Sequence, residues 1–78
     1  MDKTLKNTAI LANLSVLRMT LAGALERAED AENAVKSGEI NQAIGAVDGI
    51  DTMLQDAAAL HAAALALHRQ GGRMQPWY

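Results

Sequence analysis

The chain has 78 residues, enough for one small domain whose single core would be marginally stable. It lacks cysteine, which excludes disulfides and thiolate metal ligands, and its hydrophobic half is mainly alanine and leucine. This composition is typical of packed helices, and the net charge of −2 argues against general nucleic-acid binding.

A first helix is predicted from about residue 3 to residue 36. Its apolar residues fall alternately four and three apart, as in a heptad repeat: Ile10, Leu14, Leu17, Leu21, Ala24, Ala28, Ala31 and Val35. Up to residue 25, further apolar side chains widen this stripe, whereas beyond it alanines stand among charged residues. We therefore expect the second half to contact one neighbouring helix closely through alanine and otherwise to face water.

A break at residues 37–38 predicts a helical hairpin. Gly38 suits the left-handed position that ends a helix, and Glu39 opens a second helix predicted to run to about residue 69. Because the break is so short, the two helices should be antiparallel. Gly45 and Gly49 share one helix face, which indicates a close helix approach or a bend. A tail at residues 70–78 completes a single domain over residues 1–78.

The stretch from Ala57 to His68 is apolar on nearly every side, since its polar residues are two histidines seven apart. A helix that is apolar all round is normally buried all round, and so short a chain has little with which to surround it. The sequence therefore predicts an all-α fold in which the antiparallel hairpin oligomerises, at least as a dimer, into a helical bundle. The predicted interface residues are Leu14, Leu17, Leu60, His61, Leu65, Leu67 and His68.

Charge is distributed unevenly along the predicted hairpin. The open end, residues 1–19 and 57–78, has five cationic residues against one carboxylate, a balance of +4. The turn half, residues 20–56, has two cationic residues against eight carboxylates, a balance of −6. The small net charge is therefore the sum of two large charges of opposite sign at the two ends of the predicted hairpin.

The open end also holds both aromatic residues, so it is the candidate site for a ligand or a partner. Guanidinium groups bind phosphates in a bidentate manner, and aromatic rings stack on bases, so the cluster suits a planar anion. It suits an acidic protein partner equally well. The candidate binding residues are Lys6, Asn13, Arg18, Arg69, Arg73, Trp77 and Tyr78.

The sequence offers no catalytic, metal or cofactor site. His61 and His68 are seven residues apart, whereas two-histidine metal sites on a helix favour a spacing of four, so interface histidines are the better interpretation. Neither Ser15 nor Ser37 lies in a nucleophile motif. We therefore expect a protein that is not an enzyme and that needs no metal or cofactor.

The segment Leu54-Gln55-Asp56-Ala57, followed by the apolar helix and a short tail containing a proline, resembles a family of phage counter-defence proteins. These are the small helical-hairpin nucleotide sponges that blunt CBASS and Thoeris immunity. The resemblance implies an oligomer that sequesters cyclic-nucleotide signals between its subunits, in the cytoplasm of the host cell. It assigns no ligand contact to any residue of this chain.

Two functions remain open at this stage. The first is a non-enzymatic, homo-oligomeric binding protein that sequesters or inhibits a partner protein. The second is an oligomeric sponge that holds an anionic cyclic nucleotide at the open end. A cytoplasmic location is expected for both, because no signal peptide is recognisable and the uninterrupted apolar runs are shorter than a bilayer requires.

Overall fold

A computed structural model describes residues 3–72 of the chain, with side chains up to Arg69. It has three helices, α1 (Lys3–Lys36), α2 (Ile40–Val47) and α3 (Ile50–Gly72), and no strand within those residues. Both α2 and α3 pack along α1, so together they form the second arm of an antiparallel hairpin. The hairpin is a flat rod measuring 60 × 22 × 12 Å. The all-α prediction is confirmed.

The turn between the arms is a Schellman motif centred on Gly38. The Glu39 N–H donates to the Ala34 carbonyl at 2.8 Å, and the Gly38 N–H donates to the Val35 carbonyl at 3.0 Å. This pattern needs a left-handed residue after the helix, and Gly38 has φ +78°. The turn thereby satisfies the last carbonyls of α1 and reverses the chain within three residues.

Substituting alanine at two glycines should have opposite effects on stability. A Cβ added at Gly38 or at Gly45 meets no atom within 4 Å, so only backbone conformation and entropy matter at either position. Gly38→Ala forces a left-handed alanine and should cost about 1–2 kcal/mol, whereas Gly45→Ala, inside α2, should add about 0.5–1 kcal/mol. Urea unfolding of the two variants measures both changes, and equal effects would contradict this backbone geometry.

The second arm is bent, where the sequence predicted one continuous helix from residue 39 to residue 69. α2 ends at Val47 and α3 starts at Ile50, and α3 then continues to Gly72 through part of the predicted tail. At the bend, Arg27 Nη1 of α1 lies 3.4 Å from the Ala46 carbonyl oxygen, to which it donates. In an unbroken helix that carbonyl would accept from residue 50.

Gly49 allows this arginine to reach the bend. A Cβ at Gly49 would come within 3.1 Å of Arg27 Nη1 and 3.3 Å of its Cζ, so the missing side chain makes room for the guanidinium. The two explanations that the sequence left open for these glycines therefore apply together at Gly49. The chain bends there, and a side chain of the other arm approaches its backbone closely.

The seam between the arms is built from alanine. All six buried hydrophobic residues among those described are alanines: Ala24, Ala31, Ala34, Ala43, Ala57 and Ala64. Ala31, Ala34 and Ala43 form the central cluster next to the turn, with Ala46 packed against it. The close alanine contact expected for the second half of α1 is present. No large side chain among residues 3–69 is fully buried.

In each arm, the seam takes one row of the apolar stripe and leaves the other row outside. The inward rows of α1 are Ile10, Leu17, Ala24 and Ala31, with Lys6, Asn13, Thr20 and Ala34 beside them. The inward rows of the second arm are Ala43, Ile50, Ala57 and Ala64, with Ala46, Met53, Leu60 and Leu67 beside them. The remaining rows of the stripes are exposed, because a seam made of alanine is too narrow to cover them.

Candidate binding surface

Two exposed apolar rows lie side by side on one flank of the hairpin. Each of their residues comes four positions after a residue of the row headed by Ile10 in α1 or by Ala43 in the second arm, counting Ile40 as the start of the latter's exposed row. In an antiparallel pair, such positions fall on the same flank in both helices, since reversing the chain also reverses the direction in which residues wind around the axis. The rows are Leu14, Leu21, Ala28 and Val35 in α1, and Ile40, Val47, Leu54, His61 and His68 in the second arm.

A second pair of rows extends this surface outward. Its large apolar members are Leu11, Leu25, Ile44 and Leu65, and all four are exposed. Together, the four rows form what we term the apolar face. It holds ten of the thirteen exposed large hydrophobic residues among those described; the other three are Leu5, Val16 and Met19. Apolar exposure is thus concentrated on one flank.

Exposed charges border the apolar face, and their sign changes along the rod. In the open half, the bordering charges are the cations Arg18 and Arg69. In the turn half they are mainly acidic: Glu29, Glu32, Asp48 and Asp51, with Lys36 as the exception. The polarity that the sequence shows for the two ends therefore extends along the edges of the apolar face.

The structure separates the candidate ligand residues. Lys6 and Asn13 lie half-buried in the seam, whereas Arg18 and Arg69 are exposed at the border of the apolar face, one on each arm. Arg73, Trp77 and Tyr78 lie outside the described residues. The described members are therefore spread around the open end and do not converge on one recess.

The candidate interface residues divide into two groups. Leu17, Leu60 and Leu67 are half-buried in the seam, so packing within the hairpin accounts for their apolar character. Leu14, His61, Leu65 and His68 are exposed and belong to the apolar face. The sequence therefore identified part of this surface at the open end.

The predicted interface residues do not include the part of the apolar face that lies nearer the turn. Leu21, Val35, Ile40, Val47 and Leu54 are exposed members of it. Their heptad spacing is visible in the sequence, which was the available signal. What the spacing does not indicate is which edge of a wide stripe packs against the other arm.

A recess formed by described residues lies at the turn end, away from the candidate ligand residues. Its polar lining includes Asp30, Asn33, Ser37, Glu39 and Gln42. Within residues 3–72, no group of three or more histidine, cysteine or carboxylate side chains is placed to hold a metal ion. The recess has no clustered cation that would attract an anionic ligand.

α1 also meets the length and hydropathy criteria for a membrane-crossing helix. Its most apolar 18-residue window has a mean hydropathy of 1.5, and 6% of that window is buried within the hairpin. The residues responsible include Leu11, Leu14 and Leu21 of the apolar face. The apolar face therefore contributes both to the hydropathy of α1 and to its exposure.

Comparison with known proteins does not assign the chain to a family. No protein-family model, no curated protein and no solved structure matches it. The functional argument therefore depends on the apolar face and on the charges that border it.

Proposed function

We propose that the protein is a non-enzymatic binding protein of the cytoplasm that associates with itself through the apolar face and acts by sequestering or inhibiting a partner protein. The observation that supports this is the placement of ten exposed large hydrophobic residues on one flank. Soluble monomers seldom expose a contiguous apolar patch this extensive, and such patches normally mark interaction sites.

The energy available from covering the face is large enough for stable association. Fully burying one large aliphatic side chain contributes about 1.5–3 kcal/mol. The ten side chains are on average about half exposed, so covering them would contribute on the order of 10 kcal/mol for each hairpin. The burial free energy of two hairpins together would exceed the estimated free-energy cost of association, about 4–15 kcal/mol.

Sequestration of a protein follows from the shape of the face. An elongated apolar surface with charged edges matches the apolar side of an amphipathic helix, which is a common mode of peptide recognition. A partner helix that replaces one copy of this chain would use the same surface. The protein would then act by exchanging its own association for association with the target.

A second candidate function is the sequestration of an anionic cyclic nucleotide between subunits. The observation that favours it is the charge of the open end, where Lys3, Lys6, Arg18 and Arg69 are the charged residues described. Two copies that associate with their open ends together would add to the local positive potential, which attracts phosphates. This function uses the same apolar face and differs in the orientation of the two copies and in what the assembly holds.

The test of self-association is the dependence of melting temperature and native mass on protein concentration. For a folded dimer, raising the concentration about a hundredfold adds about 2.7 kcal/mol. With two chains of 78 residues unfolding together, this should raise the melting temperature by about 8 °C. A native mass of one chain, with a melting temperature independent of concentration, would contradict the proposal.

Two additions to the same experiment separate the alternatives. Cyclic nucleotides at about a hundredfold over their dissociation constant would stabilise the sponge by a further ~2.7 kcal/mol, and would leave a protein-binding bundle unchanged. Vesicles of neutral phospholipid provide the membrane comparison suggested by the hydropathy of α1. Flotation of the protein as single chains with the vesicles would show that lipid covers the face.

A further inference from the structure

We infer that the second occupant of the apolar face is another copy of this chain in the reverse orientation, so that the two turns lie at opposite ends of a four-helix bundle. This inference rests on the proposed self-association and adds its geometry. It is carried by the sign of the charges along the two edges of the face.

Two symmetric arrangements can bring identical faces together. The two-fold axis lies either along the rod, which puts the two turns at the same end, or across the rod, which puts them at opposite ends. Both arrangements make every pair of neighbouring helices antiparallel, so helix packing does not distinguish them. The charges that border the apolar face distinguish the two arrangements.

With the axis along the rod, edges of like charge would meet. The open halves, which include Arg18 and Arg69, would lie at the same end of the bundle. In the turn half, Glu29, Glu32, Asp48 and Asp51 would lie beside the same four acids, with a single lysine on each copy to offset them. Like charges placed together at an interface disfavour that arrangement.

With the axis across the rod, the two acidic turn halves lie at opposite ends of the bundle. Arg69 of one copy lies over the turn half of the other copy's second arm, where Asp48 and Asp51 are, and symmetry repeats this contact at the other end. Arg18 is near the middle of α1, so it lies over the middle of the other copy. The apolar rows also match, because the face extends along both halves of the rod. Charge complementarity therefore selects the reversed orientation.

Spin labels can measure this orientation because the chain has no native cysteine. Ser37→Cys places one label at the exposed turn, and a separate variant, Ala22→Cys, places one near the middle of α1 on its exposed outer side. Pulsed dipolar spectroscopy then gives the distance between the labels of two copies. The middle of each rod lies at the middle of the bundle in either orientation, so the label at position 22 reports association in both cases.

The reversed orientation predicts a separation of about 50 Å between the two turn labels, close to the length of α1 at 1.5 Å per residue. It also predicts a much shorter separation for the label at position 22. A turn-label distance of about 20–30 Å, two packed helix layers plus the label arms, would overturn the inferred orientation while leaving self-association intact. Absence of any intermolecular distance for both labels would overturn the orientation and the proposed association together.

Discussion

Ala43→Leu is expected to destabilise the hairpin by about 1–3 kcal/mol, the cost of forcing extra methyl groups into a closely packed core. Ala43 is 3% exposed and belongs to the cluster formed with Ala31 and Ala34. Because leucine and alanine are both strong helix formers, the change leaves α2 itself nearly unaffected. The loss therefore measures how closely the two arms approach.

Ala62→Leu is the matched control for this substitution. Ala62 is exposed, lies in the interior of α3 and points away from the seam, in the same row as Asp48 and Arg69. The same side-chain change there should alter stability by less than about 0.5 kcal/mol. Equal stability of the two variants in urea unfolding would show that the arms do not meet through alanine.

Local chemistry made part of this fold predictable. The predicted and observed bounds of α1 coincide, because its heptad spacing is continuous and Gly38 provides the left-handed residue that ends it. The close alanine contact was predictable for a similar reason, since small residues among charged ones leave one way for a neighbouring helix to approach. Each of these inferences depends on residues close together in sequence.

The features that the sequence did not determine depend on contacts between distant residues. The bend at Gly49 involves Arg27, which reaches it from the other arm, 22 positions earlier in the chain. The choice of seam is similar. A stripe as wide as that of α1 can pack on either edge, and the structure selects the edge with Asn13 and Thr20 rather than the one with Leu14 and Leu21.

This choice of seam explains where the candidate surface lies. Packing through alanine lets the arms approach closely but leaves the larger side chains outside. Had the arms packed through the leucine rows instead, the hairpin would have buried its own apolar face. The hairpin therefore resembles one half of a larger core, and substitutions on the apolar face should affect association more than they affect the fold of one chain.

Leu21→Asp is expected to abolish self-association, raising the dissociation constant about a thousandfold or more. Leu21 is 45% exposed at the centre of the apolar face. In the assembled bundle, each copy would lose the burial of a leucine and would bury a carboxylate, at a cost of about 2 kcal/mol or more for each of the two chains. Leu54→Asp, on the other arm of the same face, should have a comparable effect.

Met19→Asp is the matched control for Leu21→Asp. Met19 is two residues from Leu21 in the same helix, and it points to nearly the opposite side, because successive residues advance by about 100°. At 62% exposure it is more accessible than Leu21, so a general effect of replacing an exposed hydrophobic residue by aspartate would be at least as large there. Native mass spectrometry and sedimentation should show Met19→Asp associating like the parent protein and Leu21→Asp as single chains. If both variants lose association equally, or if both keep it, the apolar face is not the surface through which the copies meet.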